Sequence, residues 1–150
     1  MLAAEFNLMR DINLKSNTVG SNPSQFTTAG LTVYFVATTE SHGTELWRSN
    51  GTSSGTVLVK DINPGTVSGD PQFLINVGGA VFFSADDGAS GYEIWKSDGT
   101  ISGPILVDDI SGDSGNSAPK TMLLMGTRLD VVASTNANGL ELFSLDLSVL

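Results

Sequence analysis

The stretch GTELWRSNGTSSGTVLVKDINPG, residues 43 to 65, decides the fold because it returns 48 residues later as GYEIWKSDGTISGPILVDDISG, residues 91 to 112. A weaker third copy, GLELFSLDLSVL, begins at residue 139. The same step relates Glu45, Glu93 and Glu141; Trp47, Trp95 and Phe143; Pro23, Pro71 and Pro119; and Gly30, Gly78 and Gly126. A fixed step kept at so many positions predicts a repeat protein.

We interpret residues 1–150 as a single repeat domain. Its three repeats cover approximately residues 6–55, 56–103 and 104–150. The pair Asp61-Ile62 recurs at 109 and 110 with the same step, and also at 11 and 12, where the step is 50. The two extra residues fall in a polar loop, where an insertion costs little free energy.

Each repeat is predicted to contain four short strands. In the second repeat they are VLVKDI, PQFLINV, AVFFSA and YEIWKS, which begin at residues 57, 71, 80 and 92. Gly78-Gly79 and Asp98-Gly99 are turn dipeptides that accept positive φ. No segment has a helical period. We therefore predict an all-β fold of twelve antiparallel strands in three four-stranded units.

The third repeat departs from the other two. Phe143 replaces the tryptophan, Ser-Leu-Asp-Leu replaces Ser-Asp-Gly-Thr, and Arg128 and Asp130 fall in its apolar third strand. We expect these two charges to interrupt that strand. Terminal repeats often diverge because one of their faces meets solvent or a different neighbour. This end should therefore make a more polar contact than the junctions inside the chain.

Composition excludes several classes of partner. Seven basic residues face sixteen acidic ones, for a net charge of -9, which argues against binding nucleic acid. No apolar run approaches the ~20 residues of a membrane-spanning helix, so we expect no membrane insertion. The first ten residues lack the pattern of a signal peptide, and we expect any export signal to lie outside this chain.

Catalysis is not expected, and neither is a resident cofactor. The chain has no Cys and one His, His42, which falls in a predicted loop, and no G-x-S-x-G motif surrounds any Ser. Glu45, Glu93 and Glu141 recur within apolar strands. Because catalysis rarely needs the same acid in every repeat, we expect these glutamates to accept hydrogen bonds from backbone N–H groups of an adjacent loop.

Two kinds of side chain are candidates for ligand binding. Trp47 and Trp95 could stack on sugar rings, although their place in apolar strands favours packing between neighbouring units. Asp86, Asp87 and Glu93 surround a Gly-rich turn and are weak calcium candidates, since carboxylates of this kind can ligate Ca²⁺. The acids of this turn do not recur in the other repeats, which favours a solvated turn.

The repeated motif resembles the ELWxxDGT repeat family of bacterial surface and secreted proteins. The matching residues are Glu45-Leu46-Trp47 with Asn50-Gly51-Thr52, and Glu93-Ile94-Trp95 with Asp98-Gly99-Thr100. Asn50 replaces the family aspartate, and either residue suits the turn. The resemblance implies a bacterial, extracellular or cell-surface protein of β-propeller-like blades, and it names no ligand.

The size of the repeat independently favours propeller blades, since four strands in about 40–50 residues make one blade. A stacked β-solenoid is the alternative architecture. Three blades do not close a ring, so we expect self-association or contact with further repeats of a parent chain. We expect Phe6, Leu8 and Met9 to lie on a strand equivalent to VLVKDI, which would keep the first end competent to pair. We predict a non-catalytic structural and interaction module; the alternative is a lectin-like, calcium-assisted glycan binder.

Overall fold

The computed structural model describes residues 7–14, 19–100, 102–112 and 115–149. These residues form eleven β-strands and one short 3₁₀ helix, Leu147–Val149. The strands are β1 Ser24–Ala29, β2 Thr32–Thr39, β3 Gly43–Ser49, β4 Val57–Lys60, β5 Gln72–Val77, β6 Ala80–Asp86, β7 Tyr92–Ser97, β8 Ile105–Asp108, β9 Thr121–Met125, β10 Arg128–Thr135 and β11 Gly139–Asp146. The prediction of an all-β fold is confirmed.

The strands form three antiparallel sheets in chain order. Sheet one is β1–β4, sheet two is β5–β8 and sheet three is β9–β11, each with sequential neighbours paired. Gly78 and Gly79 have φ values of 61° and 96° in the β5–β6 hairpin, a backbone that only glycine adopts without strain. The expected twelve strands are wrong for the third unit, where the described residues contain three strands instead of four.

The fourth strand of each complete sheet comes from residues that the repeat pattern placed at the start of the next unit. β4 pairs with β3, with Leu58 opposite Trp47, and β8 pairs with β7 in the same register. The pattern boundary at residue 56 therefore lies between the third and fourth strands of sheet one. We call the segments that follow a fourth strand and lead into the next sheet connectors; they begin at Asp61 and at Asp109.

The sheets pack face to face through two apolar clusters. The cluster between sheets one and two contains Ala29, Tyr34, Leu46, Ile62, Val81, Phe83, Ala85 and Trp95. The cluster between sheets two and three has Phe82, Ile94, Leu129, Val131 and Ala133 at its centre. Sheet two is covered on both faces, so β6 is buried continuously from Val81 to Ala85 rather than at alternate positions.

The first strands of the three sheets lie side by side, because β1 contacts β5 and β5 contacts β9. Polar side chains bridge β1 and β5. The Gln25 side chain accepts a hydrogen bond from Phe73 N at 2.9 Å, and Asn76 Nδ2 donates to Thr28 O at 2.8 Å. The three sheets are therefore arranged with their first strands next to one another on one side of the stack.

The two charges in the third repeat do not interrupt a strand, which corrects the expectation from sequence. β10 begins at Arg128 and continues through Asp130, whose carboxylate lies 2.8 Å from Arg128 Nε. Asp130 occupies the position of Tyr34 in sheet one and Phe82 in sheet two. Its buried carboxylate is tolerated because the guanidinium beside it supplies the opposite charge.

The segment before the first sheet is not a strand, contrary to expectation. Residues 7–13 pair with no described strand and lie against sheet one, where Ile12 packs on the cluster of Phe35, Ala37 and Trp47. An isolated segment cannot form a strand without a partner edge, and the equivalent β4 and β8 each pair with the preceding sheet. Phe6, the other residue expected to support this end, lies outside the described residues.

Candidate functional site

Both tryptophans are buried, with exposed fractions of 7% for Trp47 and 6% for Trp95. Trp95 Nε1 donates to Ala85 O at 3.1 Å, and Lys60 Nζ lies 5.7 Å from the centroid of its ring. Trp47 Nε1 is buried without a hydrogen-bond partner in the described part of the chain. Neither indole presents an open ring face on which a sugar could stack.

The glutamates of the first two repeats fasten connectors to their sheets. Glu45 has no exposed surface; its Oε2 accepts from Ile62 N at 3.1 Å and its Oε1 from Gly69 N at 2.6 Å. Glu93 does the same one repeat later, accepting from Ile110 N and from Ser117 N, each at 3.0 Å. Ser117 Oγ adds a bond of 2.6 Å to Glu93 Oε2. Each carboxylate therefore joins both ends of one connector.

Burial changes the acidity of these carboxyl groups. Desolvation raises the pKa of Glu45 to about 7, although the backbone N–H groups that bind the carboxylate oppose the shift. The pKa of Glu93 is raised for the same reason, against the hydrogen bonds from Ser117 and Ile110. The perturbation thus has a structural cause in the connector, because neither carboxylate faces an open cleft.

Glu141 is the exception among the three repeated glutamates. It is exposed and accepts no hydrogen bond from any described residue. The neighbouring Leu142 is 68% exposed, whereas Ile94 and Leu46 at the same repeat position are buried. Glu141 and Leu142 are therefore left uncovered at the last edge by the residues that the structure describes.

The calcium candidates do not converge on one point. Asp86 Oδ1 accepts from Gly88 N at 2.7 Å, and Asp87 Oδ1 accepts from Ala89 N at 2.9 Å. These bonds belong to a tight turn, whereas Glu93 is turned toward its connector. Among the residues that the structure describes, no group of three or more His, Asp or Glu side chains could hold a metal ion.

His42, predicted to lie in a loop, is half-buried. Its Nδ1 lies 3.0 Å from Ser41 Oγ and 3.4 Å from Thr39 Oγ1. Thr39 Oγ1 also accepts from the backbone N–H of His42. No carboxylate contacts the imidazole within the described residues, so the side chain belongs to the β2–β3 turn and forms no Ser-His-Asp arrangement.

Both ends of the sheet stack expose apolar side chains. At the first end, a cleft of about 680 Å³ is lined in part by Leu8, Ile12, Phe26, Val33 and Phe35. Phe26 is 62% exposed and stacks on Phe35 with ring centroids 5.7 Å apart. At the last end, the exposed side chains are Leu123, Met125, Leu140 and Leu142. These ends are the surfaces with the clearest capacity for interaction.

Sequence reasoning predicted the open ends and named Leu8 and Met9 at the first end, but it did not single out Phe26. Phe26 occupies the position of Leu74, which packs in the cluster between sheets one and two. The available signal for an exposed end residue was an apolar position that is shared with an inner repeat but lies in a terminal unit. The predicted first-end residues Leu8 and Met9 do line the cleft.

No helix in the described ranges combines the length and apolar character needed to cross a bilayer. Comparison with known proteins adds no relationship: no family model matches the chain, and no curated protein or solved structure is significantly similar to it.

Proposed function

We propose that this chain is a non-catalytic structural and interaction module that associates with itself, or with further repeats of a parent chain, through the two open ends of its sheet stack. The observation that carries the proposal is apolar exposure at both ends, with Phe26 at one and Leu142 at the other. Stable isolated chains usually cover such faces and strand edges.

In this proposal the sheets are blades of a β-propeller-like assembly. Its support is the four-stranded meander with the first strands β1, β5 and β9 side by side, as around a common axis. Propellers usually contain about 4–8 blades, so three sheets are too few for a ring and two chains would supply six. Contact between unlike ends closes a ring if the rotation allows it, and otherwise continues as a fibre.

The use of the repeated carboxylates also supports a structural role. A hydrolase needs acidic groups that face a substrate cleft, whereas the carboxylates of Glu45 and Glu93 are occupied by backbone N–H groups of their connectors. The proposed location, outside a bacterial cell or on its surface, rests on the motif resemblance centred on Trp47 and Trp95.

Sedimentation velocity over a range of protein concentrations tests this function. We expect species heavier than one chain, with twice the monomer mass for a six-sheet ring. Leu142→Glu should weaken association by placing a charge on the last end. Leu31→Glu is the matched control, because Leu31 is 97% exposed at the tip of the β1–β2 hairpin. A stable monomer at high concentration, or equal behaviour of the two variants, would refute self-association and leave only contact with further repeats of a parent chain.

A further inference from the structure

Among the described residues, sheet three has no counterpart of the fourth strand that completes the other two sheets. β4 and β8 pair with the outer edges of β3 and β7. β11 is the last strand of sheet three, and its outer edge pairs with no other described strand. The exposed Leu140 and Leu142 lie on this strand. A free edge that carries apolar side chains favours pairing with an added strand.

A segment equivalent to the missing strand lies near the first end of the chain and pairs with no described strand. Residues 7–10, Asn-Leu-Met-Arg, directly precede Asp11-Ile12. β4 precedes Asp61-Ile62 and β8 precedes Asp109-Ile110 in the same way. The chain therefore contains three segments of this kind and three edges that could receive them, and the described residues form two of the three pairs.

The unpaired segment already occupies the position of a fourth strand relative to the sheet that follows it. Arg10 Nη1 donates to Thr56 O at 2.6 Å, and Lys60 Nζ donates to Pro104 O, the equivalent atom one repeat later, at 3.3 Å. Ile12 and Ile62 lie in equivalent clusters. These are Phe35, Ala37 and Trp47 on sheet one, and Phe83, Ala85 and Trp95 on sheet two. Residues 7–10 therefore differ from β4 and β8 in having no preceding sheet among the described residues.

Hydrogen-bonding groups lack described partners in two places: at the donors of the first connector and at the acceptor on β11. Glu45 binds the N–H groups of Ile62 and Gly69, whose equivalents in the first connector are Ile12 and Ser21. The structure supports the second equivalence, because Ser21 O accepts from Thr38 N as Gly69 O accepts from Asp86 N. Neither Ile12 N nor Ser21 N donates a hydrogen bond within the described residues. Glu141 is the acceptor that has no such donors.

Space for a connector is also left open at the last edge. A Cβ on Gly43 would lie 2.8 Å from the carbonyl carbon of Val67, and one on Gly91 would lie 3.0 Å from Asn116 Cα. A Cβ on Gly139 would meet nothing within 4 Å. In the repeat pattern the missing neighbours correspond to residues 19 and 20 of a following sheet one.

We infer that residues 7–10 of a second copy of this chain add to the outer edge of β11 as the fourth strand of sheet three. Glu141 then accepts hydrogen bonds from Ile12 N and Ser21 N of that second copy. The inference rests on the proposed self-association and specifies its contact. The register follows from the pairs Arg48–Val57 and Lys96–Ile105, and it sets Ser144 opposite Asn7.

Disulfide trapping tests this register, since the chain has no native Cys. Directly paired antiparallel residues have Cα atoms about 4.5–5.5 Å apart, within the span of a disulfide. Asn7→Cys with Ser144→Cys should give an intermolecular crosslink on mild oxidation. Asn7→Cys with Leu140→Cys is the matched control. Leu140 lies on the same exposed strand, but four residues away, or about 13 Å.

Sedimentation of the unmodified protein separates the two levels of the proposal. A monomer would refute self-association and this contact together. Association without the Asn7–Ser144 crosslink, or equal crosslinking in the control, would refute the contact and leave self-association standing. Glu141→Ala should also weaken association about tenfold or more, as expected for loss of hydrogen bonds to a charged group. Asp108→Ala, an exposed acid on β8, should not weaken it.

Discussion

The outer edges of sheets two and three carry the same motif in opposite environments. On β7, Glu93 and Ile94 are buried beneath β8 and its connector; on β11, Glu141 and Leu142 are exposed. Each strand carries a glutamate followed by an aliphatic residue, so the side chains themselves do not account for the difference in burial. Burial at this motif comes from a strand and connector supplied by the next unit of the repeat.

The outer face of sheet three also differs from its equivalents in sheets one and two. Tyr34 and Phe82 fill the apolar junctions behind sheets one and two, whereas Asp130 stands at this position in sheet three and pairs with Arg128. A charged pair is costly inside a dry junction unless it is well hydrogen-bonded. We therefore still predict a more polar contact at the last face than at the two internal junctions.

The largest effect on the free energy of unfolding should come from replacing the aromatic residue of the motif on each of the two edges. Trp95→Ala should lower the free energy of unfolding by about 3–5 kcal/mol, the cost of removing a large packed aromatic. Phe143→Ala should cost about 1 kcal/mol, since Phe143 is only half-buried on an uncovered strand. Chemical denaturation measures both. A Trp95→Ala protein of unchanged stability that had lost binding to a glycan would instead support the lectin alternative.

The pH dependence of stability tests the covered member of the comparison, the buried motif glutamate. Glu45 has a pKa of about 7 in the folded chain and 4.5 as its ordinary value. Between these pH values the folded state holds a proton that the unfolded state has lost. The free energy of unfolding should therefore fall by about 1.4 kcal/mol per unit as pH rises through this window, then level off.

Denaturation curves across this pH range provide the measurement, with Glu45→Gln as the control. The amide side chain does not titrate, so the variant should lose the part of the slope that belongs to Glu45. The slope that remains should include Glu93, whose pKa is raised in the same direction. A Glu45→Gln slope equal to that of the parent would contradict the assignment.

Replacing the repeated glutamates should change folding stability by a smaller amount, and the amount should differ between the two edges. Glu93→Ala leaves buried donors of the connector without an acceptor and should cost about 1–3 kcal/mol of folding stability. Glu141→Ala should change stability by less than about 0.5 kcal/mol at concentrations where the chain is monomeric, because it is an exposed side chain. Equal losses in thermal denaturation would show that the last edge is covered within a single chain.

Much of the fold follows from local sequence. The Gly78-Gly79 pair determines a hairpin, because both residues adopt positive φ there. The repeated glutamates were expected to accept backbone hydrogen bonds from an adjacent loop, and Glu45 and Glu93 do so. The exposure of Glu141 was not predicted, because its environment depends on a segment remote in sequence.

The sequence by itself determined the repeat, the strand-rich class and the hairpins, since these depend on side-chain period and turn residues within a few positions. Only the tertiary structure decided which sheet receives each fourth strand. Val57–Lys60 has the same local pattern whichever neighbour it joins, and its pairing with β3 assigns it to sheet one. Residues 7–10 carry the equivalent pattern without forming a strand. A β-strand is completed by a hydrogen-bonded partner, and its own residues cannot provide one.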